Sequence, residues 1–363
     1  MEVYDLMKKL AAALLLVVLV IALALPGHAE MTRYSSVFMD TFDTVIQLIG
    51  FAPDQETYDK WSAEVHNQYI HMHKLFDTYN SYEDEGIINI HSLNQRAAQE
   101  PVAVEETLFN LFKLCKDNYA LCQQQTNIAM GAVLSIWHEY REAGLDDPLN
   151  AKLPPMEALE AAAEHIDINN LILDEENRTV FFADPLLKLD VGAAAKGYAT
   201  ELIAQMLLDS EMNSFIISAG GNVRLGNPPM DGRKGWGVGI QDPDGAVLGL
   251  SDIVETLFIS NTSVVTSGDY QRFYTVDGQN YHHLIDPDTL MPATEFRSVS
   301  IITEDSGLAD MLSTAAYLMP YEESRALVDS LDGVEAMWIF TDGRKKLTNG
   351  AMNIAKSYGA VNY

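Results

Sequence analysis

An α+β fold is the architecture this sequence predicts, and three observations lead there. Helical and strand periodicities are interleaved without the regular alternation of a doubly wound sheet. The 363 residues, 48% hydrophobic and 9% aromatic, are enough for a full-sized core. After a helix near 195–209 the pattern turns mainly to strands.

Residues 37–49 alternate (Val37, Met39, Val45, Ile46, Leu48) as an opening strand or hairpin does. Residues 55–76 and 105–124 carry apolar positions at helical spacing, and a Pro- and Asp-rich loop over 144–155 leads to a short helix from Met156. Short strands are expected at Leu171–Leu173 and Thr179–Phe182, flanking the turn Asp174–Asn177. An apolar strand through Leu186, Leu187 and Leu189 ends at Asp190 and feeds the helix at 195. Strands follow at 214–218, 236–240, 256–260, 263–266, 281–285 and 298–303, then helices near 306–319 and 321–331, then a closing strand at 336–340.

A formal charge of −29 argues against nucleic acid or an anionic membrane surface as a partner, because both would be repelled. Lys8 and Lys9 precede an unbroken apolar run from Leu10 to Leu25, then Pro26-Gly27-His28-Ala29. Residues 1–29 therefore read as a signal peptide cut before Glu30, or as a signal anchor. No cysteine follows the run, which argues against a lipoprotein. Either way the folded part is expected outside the cytoplasm, secreted or held at the membrane through this segment alone. Cys115 and Cys122 fall on what reads as one helix, about 10 Å apart at helical rise, beyond disulfide reach. They read as buried thiols.

The run DVGAAAKGYA (190–199) carries the most chemistry. A carboxylate precedes a small-residue turn and then a helix, whose N-terminus offers free N–H groups to a phosphate. Lys196 brings a positive charge to the first turn, where acids are normally preferred. Strand 214–218 runs into Gly220-Gly221, a pair that on its own reads as a plain turn. His282 and His283 are adjacent in a strand, so they point to opposite faces and do not serve one metal together. Asp310 and Thr314, four apart, share a helix face as a hard-oxygen pair of the kind magnesium takes. The spacing is common by chance. Zinc-type spacings, a Walker loop and a dinucleotide fingerprint are all missing from the sequence.

These blocks, in this order, resemble the ApbE family of flavin transferases. DVGAAAKGYA is similar to its Asp-hydrophobic-Gly-Gly-x-x-Lys-Gly-Tyr-Ala block, and SAGGNVRLGN to its Gly-Gly-Asp-x-Arg block, with Asn222 where Asp is usual. TSGDYQRFYTVDGQNYHHLIDPDTLMP resembles the Thr-Ser-Gly-x-Tyr-x-Arg to His-x-x-Asp-Pro-x-Thr-Gly-x-Pro stretch, with Leu290 in place of Gly. ADMLSTAAYLM resembles the late Ala-Asp-x-x-x-Thr helix. Met39-Asp40-Thr41, Phe76–Tyr79 and Gln125 through Trp137 resemble the earlier segments, with Asp40 replacing Gly and Asn127 replacing Asp.

The resemblance covers roughly residues 37–345 and implies an ApbE-like, tunnelling-fold-like α+β fold, a single large domain over 30–363. It implies FAD contacts at Met39, Tyr79, Gln125, Thr126, Asn127, Asp190, Lys196 and Ile285, and Mg2+ at the Ala193 carbonyl, Asp310 and Thr314. His283, with Asp286 as the alternative, falls where a general base would sit. The implied reaction moves FMN from FAD to a threonine or serine hydroxyl of an acceptor flavoprotein, such as a redox-complex subunit or a secreted flavin reductase, and releases AMP. Two rivals share this evidence: hydrolysis of FAD to FMN and AMP, and a non-catalytic extracellular flavin binder.

Overall fold

The computed structural model describes residues 31–247 and 253–362; the expected signal segment and cleavage position lie outside them. The chain opens with a long hairpin, β1 (Thr32–Thr41) and β2 (Thr44–Ala52), then helix α1 (Gln55–Phe76). Next come α2 (Ile90–Arg96), β3 (Val102–Ala103), α3 (Glu106–Asp117), α4 (Gly131–Asp146) and α5 (Met156–Ala163). Strands β4 (Leu171–Asp174) and β5 (Thr179–Phe182) precede α6 (Ala195–Leu208). The strand-rich part holds β6 (Phe215–Ala219), β7 (Asn222–Leu225), β8 (Trp236–Gln241), α7 (Pro243–Val247), β9 (Ile253–Ile259) and β10 (Ser263–Gly268). It continues with β11 (Phe273–Val276), β12 (Gln279–His282) and β13 (Phe296–Thr303). Helices α8 (Ser306–Leu318) and α9 (Tyr321–Asp329), strands β14 (Glu335–Phe340) and β15 (Lys345–Leu347), and helix α10 (Asn349–Ile354) follow.

An eight-stranded sheet in the order β1-β2-β6-β7-β10-β13-β14-β15 organises the fold, and each of its pairings is antiparallel. Alternation along its central strands assigns its two faces. Val265, Ile301 and Trp338 join the main core with α1, α3, α6 and α8, while Val264, Ile302 and Ile339 face the β8–β9 hairpin and α10. Burying each such side chain contributes roughly 1.5–3 kcal/mol. A third cluster, with Met130, Trp137, Tyr274, Ile285 and Leu290, packs α4 and α5 against the β11–β12 hairpin.

The α+β expectation holds, with local corrections. Leu186–Leu189 is not a strand: Asp184 accepts from Leu186 N at 2.8 Å, and Asn94 holds both the N–H (2.7 Å) and the carbonyl (3.0 Å) of Leu189. The helix expected to reach 124 ends at Asp117, and Gln123 and Gln124 adopt left-handed backbone. Strand 281–285 stops at His282, and the chain does not close at Phe340 but adds β15 and α10. The Gly220-Gly221 pair is the tight turn joining β6 to β7, with both φ angles positive (55° and 100°).

Cys115 and Cys122 are free and buried, and burial pushes both thiols up, Cys122 to about 12. A disulfide-exchange reagent is expected to find no reactive thiol in the folded protein and both after denaturation. Rapid labelling of either in the native state would contradict this.

Candidate active site

The site forms where the N-terminus of α6 meets α8. Gly197 is the point of closest approach: a Cβ there would lie 2.5 Å from Asp310 Cβ and press on the Ser306 carbonyl. Without that Cβ, Gly197 N–H donates to Asp310 Oδ2 at 2.8 Å. Asp310 is 4% exposed. Burial raises its pKa, while the Lys196 charge and the Gly197 N–H act the other way. Asn222 lies beside it, and its buried Nδ2 lacks a well-formed partner.

One helical turn on, Thr314 Oγ1 lies 3.4 Å from Ser267 Oγ on β10, and that hydroxyl bonds Ser313 Oγ at 2.8 Å. Among the described residues no three His, Cys, Asp or Glu side chains gather into a metal cage. An ion at Asp310 would therefore take its other oxygens from hydroxyls, backbone, water or substrate. The Asp310 carboxylate and the Thr314 hydroxyl, both buried and one turn apart on α8, are hard oxygens of the kind magnesium takes, and Ala193 lies in the turn before α6. The Asn222 amide beside Asp310, without a well-formed hydrogen bond, marks the same spot as polar.

Asp190 enters this region on a chain held by Asp190 N–H to Ile128 O (2.9 Å) and Gly131 N–H to Lys188 O (3.0 Å). Its Oδ1 accepts from Gly192 N at 2.8 Å and shapes the turn. The 125–127 segment is tied down by its side chains. Thr126 Oγ1 donates to the Met311 carbonyl of α8 (2.7 Å), and Asn127 Nδ2 donates to Ile166 O (2.8 Å). What Thr126 and Asn127 can offer a ligand is therefore mainly backbone, while the side chain of Gln125 is half-buried with no side-chain bond of its own in the fold. Met39 stands 75% exposed near the tip of the β1–β2 hairpin.

The two histidines diverge. His282 spends both ring nitrogens on the fold, Nε2 on Ala293 O (2.7 Å) and Nδ1 on Leu284 N–H (3.2 Å). His283 lies just past the end of β12, with Nδ1 buried and unpartnered. Burial, with the positive Arg272 and Lys196 nearby, lowers its pKa to about 3, so it is a neutral imidazole at ordinary pH. Asp286 Oδ1 instead closes its own turn, accepting from Asp288 N (2.7 Å) and Thr289 N (3.1 Å). Ile285 is buried in the third cluster. Leu290, at a φ of 60°, is stabilised there by packing and by Trp137 Nε1–H donating to its carbonyl at 3.0 Å.

Sequence reasoning passed over three basic or aromatic side chains that gather here. Arg272 lies in the TSGDYQRFYTVDGQNYHHLIDPDTLMP stretch, and its charge acts on both His283 and Tyr79. His138 and Arg141 lie on α4, between the expected helix at 105–124 and the expected loop at 144–155. Lys196, Arg272 and Arg141 bring positive potential to one place on a protein with a net charge of −29.

Residues 39–338 match the sequence model of the ApbE family. The chain is 34% identical over 275 residues to an FAD:protein FMN transferase of Treponema pallidum, a match covering 72% of this chain and 73% of that protein. A Klebsiella pneumoniae FAD:protein FMN transferase is 29% identical over 273 residues, covering 73% and 81%. The fold superposes on the ApbE protein of Thermotoga maritima with a TM-score of 0.76 at 25% identity, over 89% of this chain and 99% of that one. It superposes on the Vibrio cholerae flavin transferase ApbE with a TM-score of 0.72 at 20% identity, over 89% and 99%.

Proposed function

The chain belongs to the ApbE family, and on that premise we propose that it is an enzyme, an FAD:protein FMN transferase, that uses magnesium and a hydroxyl acceptor outside the cytoplasm. The transferase reading rests on the relatives of that name. The finer reading is supported above all by the junction of Gly197, Lys196 and Asp310, a buried carboxylate under a helix N-terminus beside a lysine.

The chemistry follows from these residues. The FAD pyrophosphate is drawn to Lys196 and Arg272, since the first N–H groups of α6 are largely taken up by Val191 O and Asp310. Asp310, Thr314 and the Ala193 carbonyl would hold Mg2+, which when bound neutralises charge on the pyrophosphate oxygens. A threonine or serine oxygen of the acceptor attacks the FMN-side phosphorus. The P–O bond to the AMP half breaks, AMP leaves with the bonding pair, and the acceptor proton passes to a base. His283 is the better placed base, since its Nδ1 is free while Asp286 is engaged in its turn. Signal-segment delivery would put the reaction with acceptors such as redox-complex flavoprotein subunits or secreted flavin reductases.

The test is mass spectrometry of a candidate acceptor after incubation with the protein, FAD and Mg2+. An FMN adduct on one threonine or serine is expected. AMP release at an equal rate without acceptor, and no adduct, would replace the transferase by a hydrolase.

His283→Ala is expected to slow single-turnover transfer by about 10²- to 10⁴-fold. Because the His283 pKa is depressed to about 3, its neutral form persists as pH falls through 6.5. The free-enzyme profile of kcat/KM should therefore carry no limb near pH 6.5 that His283→Gln removes. Such a limb would show an ordinary, solvated imidazole.

A further inference from the structure

Tyr79 is a half-exposed residue on a backbone pinned by Asp77 Oδ1, which accepts from Tyr79 N (2.7 Å) and Asn80 N (3.0 Å). Burial of the phenol and the Asp190 carboxylate push its pKa up, so its hydroxyl end lies among the charges of the site. The ring is stacked on His138, with centroids 4.2 Å apart and planes 23° from parallel. His138 is the inner member of the pair, its side chain only 28% exposed. Its Nδ1 accepts from Arg141 Nη2 at 2.8 Å, which fixes the ring plane and leaves the neutral ring's proton on Nε2. Burial and Arg141 lower its pKa, in keeping with that neutral state.

The ring of a half-exposed aromatic residue, backed by a clamped second ring, is a platform with one open face. On the reading of the site as an FAD site, we propose that His138 is a positioning residue: it backs Tyr79 so that a planar ring of FAD stacks on the open face, and so sets affinity for FAD without touching the reacting phosphorus. Tyr79 sits in a turn region held mainly by Asp77, and without the ring behind it a bound ring would have to order Tyr79 on binding.

The test compares the full wild-type chain with H138A and H138F. Its readouts are KM for FAD and kcat for FMN transfer, and Kd for FAD from quenching of flavin fluorescence without acceptor. H138A is expected to raise KM and Kd about 5- to 10-fold, with kcat within about twofold. H138F, which keeps a ring but offers Arg141 no acceptor, is expected to return both to within about twofold of wild type. Unchanged KM in H138A, tighter binding in H138A, or no rescue by folded H138F would each overturn the stacking role. In those cases wild-type transfer survives, so the enzyme reading stands. A wild type that neither transfers FMN nor quenches FAD fluorescence would overturn both.

Discussion

Asp310→Ala is expected to lower kcat/KM for FMN transfer by about 10³-fold or more, roughly 4 kcal/mol of transition-state stabilisation. Asp310 is the one carboxylate in the hard-oxygen set, and it also holds the Gly197 N–H at the entrance of α6. Alanine removes both functions, so the decisive comparison is Asp310→Asn. The amide oxygen can still accept from Gly197 N–H, and the shape is nearly kept, but the charge is lost. If the role is electrostatic, Asn should fall almost as far as Ala in single-turnover adduct formation while melting close to wild type. Near-normal transfer by folded Asp310→Asn would remove Asp310 from the chemistry and leave it as a strut between two helices.

Glu201→Ala carries the largest expected loss of stability, about 3–5 kcal/mol, with a fall in melting temperature on the order of 10 °C. Arg224 is 1% exposed, and its guanidinium reaches Glu201 through Nε (2.9 Å) and Nη2 (3.3 Å). The same carboxylate accepts from Ser306 N at 2.8 Å, so one side chain ties α6 to β7 and to the first residue of α8. Its removal leaves a buried cation unpaired. Replacing both partners, as in Glu201→Leu with Arg224→Met, should recover most of the loss, because the uncompensated charge is the costly species. A melt unchanged by Glu201→Ala would show that Arg224 finds another partner or solvent.

Local chemistry made half of the site legible in the sequence. The spacing of Asp310 and Thr314 and the small-residue entry to α6 follow from rules that act over a few residues, and the structure displays both, whereas His283 falls past the end of β12 and parts from His282 without strand alternation. The errors came where distant groups took over. Leu186–Leu189 has a strand's composition, yet its backbone is satisfied by Asn94, which no window around residue 187 contains. Tyr119 and Cys122 continued a helical pattern past Asp117 because that segment still packs inward after the helix has ended. His138 and Arg141 acquire their meaning from Tyr79, about sixty positions earlier in the chain. Arg224 finds its partner in Glu201, 23 positions earlier and on a different element.

The bonds that shape the site span long loops of chain: Gly197 with Asp310, Thr126 with Met311, Trp137 with Leu290. Each closes only after more than a hundred residues have been gathered, and that kind of closure is slow to form. Flavin affinity is therefore expected late in refolding, after most of the secondary structure. A nascent chain that has not yet emerged as far as α8 would have no complete site in which to trap FAD. In time as well as in space, the arrival of α8 decides whether the molecule can work.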